Sequence, residues 1–343
     1  MLTADFDYKL PFELIAQKPL LKREQSRMMV LHRKKGEIFH SLFKEFPDYL
    51  NKGDVLVLNN TKVLPARAWG KKEKREIEFL FLKEYKKGLW EVLCRPAKKV
   101  KSGDIISFSP ELKGKIVKVE PEGRRKIQFS TEDILSNLKK IGFAPLPPYI
   151  KRKKKNSELR ALDLERYQTV FAQREGAIAA PTAGLHFTPQ ILERIKTKGA
   201  LITQISLDVG LATFQPVRAK RIKNHKMLEE TFSISPAVSQ IINKAKKDTR
   251  PVTAVGTTSV RALESAFING EIHSGESSTK LFIYPGYEFK VADRLLTNFH
   301  LPRSTLLMMV AAFAGLDLIK KAYHEAIHKK YRFYSYGDCM LIL

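Results

Sequence analysis

The sequence predicts an α/β fold: a largely parallel sheet covered by helices, with a β-rich unit inserted into it. Three observations carry this expectation. Beyond residue 200, apolar strand-like runs alternate with helical patterns, the rhythm of a parallel sheet. Between residues 77 and 129 that rhythm gives way to five short strands parted by turns, as in a small antiparallel barrel or sandwich. The strands before this region have few residues of their own to make a core, so they are expected to join the later sheet. The expected division is residues 1–67 with 156–343 as the α/β domain, and 68–155 as the insertion.

In chain order, residues 28–32 and 55–58 read as short buried strands. The insertion's strands are placed at 77–82, 89–95, 105–108, 115–119 and 126–129. Lys86-Lys87-Gly88, Lys101-Ser102-Gly103 and Pro121-Glu122-Gly123 punctuate them. Pro145-Leu146-Pro147-Pro148 and the basic run 151–155 form a stiff exit. Thr188-Pro189 supplies an N-cap and first helical position, and Gly199 closes a helix over 189–198. A strand follows at 201–207, then a helix from Ser235-Pro236 to about Lys247. Strands at 252–255 and 281–284 flank a helix over 259–267, and helices at 305–314 and 317–331 close the chain.

Composition narrows the class. The chain has 343 residues, 43% apolar and 28% charged, which suits a globular protein with a sizeable core. Residues 1–10 do not read as a signal peptide, and the longest apolar run, 306–316, is too short to span a bilayer. Cys94 and Cys339 have no partners at metal-ligand or disulfide spacing, so a reducing cytoplasm, no metal and no membrane are expected. Lys and Arg number 61 against 36 Asp and Glu, a net charge of +25 that points to a polyanion. Residues 68–155 hold 24 basic and 11 acidic side chains, net +13, so half the excess sits on a quarter of the chain. A general bias toward Lys would also raise the total, but not its unevenness.

Four loops share one design, a strand-like run ending in uncharged hydrogen-bonding residues. They are Asn59-Asn60-Thr61 continuing to Arg67, the loop from Ala179 through Thr182 and His186 to Thr188, Gly256-Thr257-Thr258-Ser259 with Arg261, and Thr297-Asn298-Phe299-His300 continuing to Ser304. In parallel α/β architectures ligands bind at the carboxyl ends of strands, so all four are expected to face one pocket. Ordinary helix capping by Thr257, Thr258 or Ser304 is the plain alternative. Capping needs no His, Asn and Arg together, however. A free helix start at 256–259 would also attract the carboxylate of an amino-acid moiety. Neither phosphate-cradle motif, G-x-x-x-x-G-K-[ST] or G-x-G-x-x-G, is present, nor is G-x-S-x-G.

The wording of these loops resembles the S-adenosylmethionine:tRNA ribosyltransferase-isomerase family of queuosine biosynthesis. The match runs nearly end to end. It takes in Asp5-Phe6-Asp7-Tyr8, Leu14-Ile15-Ala16-Gln17, Val57-Leu58-Asn59-Asn60-Thr61 and Pro145-Leu146-Pro147-Pro148-Tyr149-Ile150. It continues through Glu165-Arg166-Tyr167-Gln168-Thr169-Val170, the His186 loop, residues 255–261 and 296–307, and Tyr334-Ser335-Tyr336-Gly337-Asp338. The resemblance implies a barrel-like α/β domain carrying a small inserted antiparallel β-barrel. It implies that the ribosyl part of S-adenosylmethionine moves to the aminomethyl group of 7-aminomethyl-7-deazaguanine in tRNA and is rearranged to an epoxycyclopentane, with adenine and methionine released. No cofactor beyond S-adenosylmethionine, itself a substrate, is implied, and a monomer is expected.

That chemistry asks for specific groups. A sulfonium acidifies its neighbouring C–H bonds, so a positioned base could remove a ribose proton beside sulfur. His186 and His300 are the acid/base candidates, with Glu230 as a carboxylate. Arg261 and Asn298 are expected to orient the methionine carboxylate or the ribose. Asn59, Asn60, Thr61, Arg67, Thr182, Thr257, Thr258 and Ser304 are expected to bind substrate. The chain departs from the family pattern where Asp208 and Leu228 stand in place of His, which makes Asp208 a further candidate base. Lys151, Arg152, Lys153, Lys154 and Lys155, with the insertion's cations, are expected to contact tRNA phosphates. Two competing readings are a non-catalytic RNA-binding factor and an S-adenosylmethionine-dependent tRNA methyltransferase. The first would release no adenine; the second would yield S-adenosylhomocysteine.

Overall fold

The computed structural model describes residues 1–152, 157–210 and 217–343. The chain opens with a hairpin of β1 (Arg27–His32) and β2 (Glu37–Leu42), then β3 (Val55–Asn59) and the short β4 (Thr61–Val63). Six strands follow: β5 (Arg67–Lys72), β6 (Arg75–Lys86), β7 (Leu89–Arg95), β8 (Ile105–Ser107), β9 (Lys113–Val119) and β10 (Arg124–Phe129). Next come α1 (Ile134–Ile141), α2 (Ser157–Arg166), β11 (Arg174–Ala177), α3 (Pro189–Thr197), β12 (Leu201–Leu207) and β13 (Glu230–Ile234). The order continues α4 (Pro236–Lys247), β14 (Val252–Val255), α5 (Thr257–Ala266), the small pair β15 (Phe267–Ile268) and β16 (Glu271–Ile272), then β17 (Gly275–Thr279). It ends with β18 (Arg294–Asn298), α6 (Thr305–Ala314), α7 (Leu316–His328) and β19 (Cys339–Ile342).

Nine strands form one mixed sheet in the order β17-β13-β12-β3-β14-β18-β19-β1-β2, so the early strands do join the later ones. Its centre is parallel: β12 with β3, β3 with β14, and β14 with β18. The flanks are more antiparallel than expected. The physical reason is clearest at β18 and β19, which pair antiparallel because two successive helices return the chain to the end it left. Both faces of the centre are covered. Met29, Leu31, Val55 and Val57 pack toward one apolar cluster, and Met28, Val30, Leu56 and Leu58 toward another. That burial on both sides makes these strands read as continuous apolar runs.

The insertion is a closed antiparallel barrel in the order β10-β7-β6-β5-β8-β9, filled by Ile77, Phe79, Phe81, Trp90, Val92, Ile116 and Ile127. It has six strands rather than five. The extra one is β5, whose Arg-Ala-Trp-Gly-Lys-Lys carries little apolar signal. Gly70 belongs there because a Cβ would lie 2.4 Å from Ile106 Cγ2. Gly70→Ala is therefore expected to destabilise the protein by about 1–3 kcal/mol through overpacking, read as a lower urea midpoint. An unchanged midpoint would mean that the barrel interior yields freely.

Residues 281–284 are not a strand. The Leu281 N–H donates to Thr279 Oγ1 (3.0 Å) and its carbonyl accepts from Arg261 Nε (3.2 Å), so side chains hold a backbone that a sheet would otherwise use. Helix starts fare better: Thr188 and Ser235 cap α3 and α4 as expected. No helix among the described residues is long and apolar enough to cross a membrane, and no cluster of three or more potential metal ligands occurs among them.

Candidate active site and its relatives

A narrow cleft of about 40 Å³ opens at the carboxyl ends of the central strands. Three of the four polar loops meet in it. Ala180 to Ala183, Gly256 to Thr258 and Thr297 to Leu301 line it, together with Tyr149, Tyr334 and Ser335. The fourth loop lies beneath. Asn59 is 1% exposed, and its Nδ2 donates to Leu207 O (3.0 Å) and Thr258 Oγ1 (3.3 Å), so it braces the cleft without reaching it.

The start of α5 is chemically open. Gly256 takes φ +87°, a conformation suited to glycine, and no side chain caps the helix behind it. Thr257, itself buried, lines the cleft at this end. By contrast α6 is closed by its own residue: Ser304 Oγ accepts from the Leu307 N–H (3.2 Å) and donates to Leu301 O (2.7 Å). Ser304 is a cap and lies outside the cleft wall.

The two histidines part company. The ring of His300 lines the cleft, with Nε2 2.7 Å from Thr297 Oγ1. Its backbone N–H donates to the Tyr323 hydroxyl (2.8 Å) and its carbonyl accepts from the Tyr8 hydroxyl, which fixes the loop. Nδ1 has no hydrogen-bond partner among the described residues. His186 sits one layer behind. Its Nδ1 is 2.6 Å from Ser26 Oγ, and its Nε2 is 3.2 Å from Asn298 Nδ2. Ser26 donates to Arg23 O (3.0 Å) and Asn298 Oδ1 accepts from Thr182 Oγ1 (2.7 Å), so Nδ1 carries the proton and Nε2 accepts. His186 thereby orients Asn298, which faces the cleft.

Burial pushes both imidazoles down to about 3, with Arg23 and Arg332 adding to the effect at His186. Both rings are neutral in the folded protein at pH 7. The unfolded rings titrate near 6.5, so unfolding takes up protons below that pH. Stability is therefore fully present above about pH 6.5 and is lost as pH falls toward 3. Between pH 7 and pH 5 each histidine is expected to remove about 2 kcal/mol. Urea titrations of His186→Gln and His300→Gln should show a shallower pH slope than the parent; an equal slope would contradict neutral burial.

Glu230 and Arg261 form a buried ion pair. Arg261 also donates to Leu281 O and Thr279 O, and Glu230 Oε1 accepts from the Gly210 N–H (3.0 Å). The guanidinium expected to meet a substrate carboxylate is thus directed toward its own protein. The pair forms part of the wall of a second, wider chamber of about 320 Å³ between the barrel turn at Glu122 and Arg124 and the segment from Arg218 to Leu228. Leu306 walls both spaces.

The remaining expected residues lie away from the cleft. Asp208 is half-buried and accepts from Thr61 Oγ1 (3.0 Å) and Thr231 Oγ1 (3.3 Å). Asn60 is engaged with Gln204 and Ser206. Arg67 borders a separate cavity beside Glu78 and Pro145 to Pro148, with one amine donating to Leu146 O (2.8 Å). Of the basic run, Arg152 is bound to Asp163 at 2.7 and 2.9 Å, which ties α2 to the chain before it. Lys151 is exposed, its ammonium 4.8 Å from the Phe12 ring. Lys153, Lys154 and Lys155 lie outside the described residues.

Tyr149, Tyr334 and Ser335 also line the cleft, outside the residues expected from the sequence. Tyr149 Oη lies 2.6 Å from Ser335 Oγ, and its ring is 4.7 Å from that of Tyr334. Tyr334 takes φ +70°, strained for an aromatic residue, at the cleft wall. Both belong to strings visible in the sequence, but neither string carries an obvious acid or base.

Comparison with known proteins agrees with this architecture. The family described as queuosine biosynthesis protein matches residues 3–342. A protein of Halothermothrix orenii named S-adenosylmethionine:tRNA ribosyltransferase-isomerase is 50% identical over 351 residues, covering 100% of both chains. One of the same name from Desulforamulus reducens is 48% identical, again over 100% of each. The crystal structure of S-adenosylmethionine tRNA ribosyltransferase from Thermotoga maritima is similar with a TM-score of 0.56 and 38% identity, over 99% of this chain and 100% of that one. With its sheet, its inserted barrel and its loops all accounted for in one continuous match, this chain belongs to the queuosine biosynthesis protein family.

Proposed function

We propose that the protein transfers and isomerises the ribosyl moiety of S-adenosylmethionine onto the 7-aminomethyl group of 7-aminomethyl-7-deazaguanine in tRNA, giving epoxyqueuosine and releasing adenine and methionine. The observation that carries this reading is the end-to-end similarity to relatives bearing that activity's name. The cleft supports it with chemical groups of the right kind, and at about 40 Å³ it has to widen to admit S-adenosylmethionine.

The methionine carboxylate is assigned to the start of α5, where no side chain caps the helix and Thr257 and Thr258 line the cleft. With the carboxylate there, the sulfonium and ribose are assigned to the part of the cleft beside His300. With its ring proton on Nε2, facing Thr297 Oγ1, the imidazole of His300 has Nδ1 open to accept the acidified ribose proton. Thr182 and Asn298 offer neutral dipoles for the ribose hydroxyls, with His186 as the positioning residue behind them. Asn59 and Asp208 act through the loops they brace. The barrel's cations and Lys151 supply phosphate contacts.

The test is product identification. Purified protein with S-adenosylmethionine and precursor tRNA should yield adenine, methionine and epoxyqueuosine by mass spectrometry. S-adenosylhomocysteine in their place would replace the reading with methyl transfer.

A further inference from the structure

The segment from Val217 to Leu228 holds five cations, Arg218, Lys220, Arg221, Lys223 and Lys226, and no acidic residue. All five are exposed, and none forms an ion pair among the described residues. Five like charges on so short a stretch repel one another and are most stable beside a polyanion. The segment is nonetheless held in place. The Thr3 N–H donates to Lys220 O (3.0 Å), the Val217 N–H donates to Arg303 O (3.0 Å), and Leu2 bridges Arg221 in antiparallel fashion. A fixed cationic rim is a pre-organised phosphate surface, unlike a loose lysine tail.

This rim borders the 320 Å³ chamber, to which it contributes Arg218, Asn224, His225, Lys226, Met227 and Leu228. The opposite wall is the barrel turn, where Arg124 lies 3.6 Å from Glu122 and 3.5 Å from Glu91. The volume is that of a small-molecule site, room enough for a purine-sized base. Its lining of aliphatic side chains, an amide, an imidazole and the Glu230–Arg261 pair suits the faces and the polar edge of such a base. Leu306 separates the chamber from the cleft assigned to S-adenosylmethionine, so an occupant of the chamber adjoins the reacting ribose.

We infer that this chamber is the seat of the unstacked tRNA base, and that the 217–228 rim grips the phosphates on either side of it while the barrel turn closes the far wall. The inference rests on the proposed activity and adds where the second substrate binds. Enzymes that modify a base take it out of its stack, and a pocket rimmed by cations meets both demands at once.

Two variants test it, with a hairpin RNA carrying 7-aminomethyl-7-deazaguanine in its loop as the probe. Arg218→Ala/Lys223→Ala/Lys226→Ala should weaken hairpin binding at least ~10-fold and flatten the slope of log affinity against log salt by about 2, at roughly 0.7 per lost single-strand contact. Its affinity for S-adenosylmethionine, measured by calorimetry, should stay at the parent value. Leu228→Trp, at a position 46% exposed, should fill the chamber, leave hairpin affinity within about threefold and slow single-turnover transfer at least ~10-fold. A triple variant with parental affinity and salt slope would overturn the rim assignment, and parental transfer by Leu228→Trp would overturn the base seat. Failure of the parent protein to release adenine and methionine would instead overturn the proposed activity, and the binding measurements would still decide the rim.

Discussion

His300→Ala is expected to lower turnover by 10²-fold or more while the protein stays folded and still binds S-adenosylmethionine. The argument is geometric. His300 is the imidazole that lines the cleft, its Nε2 is held by Thr297, and its Nδ1 is open. Its main-chain anchors to Tyr323 and Tyr8 do not depend on the side chain, so truncation leaves the loop tied down. Because burial keeps the ring at about 3, its own titration should not produce a limb in the rate profile between pH 5 and 9. His186→Ala should also slow turnover, but through Asn298, so Asn298→Ala and the double variant should cost about as much as either alone. Single-turnover rates check both points. Unchanged rates in His186→Ala and His300→Ala would remove imidazoles from the chemistry.

Arg261→Ala is expected to destabilise the fold by about 3–5 kcal/mol, since it leaves the buried Glu230 carboxylate without its cation. Lysine should not rescue it, because the guanidinium also reaches Leu281 O and Thr279 O in the same plane. The joint change Glu230→Gln/Arg261→Met should be milder than Arg261→Ala, as removing both charges avoids the uncompensated one. Urea denaturation gives the ranking. A double variant less stable than Arg261→Ala would show that the pair acts through something other than mutual neutralisation.

What could be read from the sequence, and what could not, follows from the range of the interactions. The buried central strands announced themselves, since Val55 to Leu58 and Val252 to Val255 are apolar on both faces. Edge strands did not. β17 is Gly-Glu-Ser-Ser-Thr, almost wholly exposed, and is a strand because β13 pairs with it along five residues. β2 is half-exposed for the same reason. Helix starts were legible where a cap sits next to its helix, as at Thr188 and Ser235.

The site divides the same way. That polar loops at strand ends would gather was visible in their local pattern. Which polar groups remain available was not, because neutralising partners come from far along the chain. Arg261 is met by Glu230 and His186 by Ser26. The chamber rim was equally hidden: its charges are plain in the sequence, but the barrel turn that faces them is about a hundred residues away.

A crystal structure with S-adenosylmethionine bound tests the central claim most directly. The account predicts the methionine carboxylate on the N–H groups of Thr257 and Thr258, with the ribose beside His300 Nδ1. Density for the ligand in the cavity beside Pro145 to Pro148, or with its carboxylate on Arg261, would contradict it.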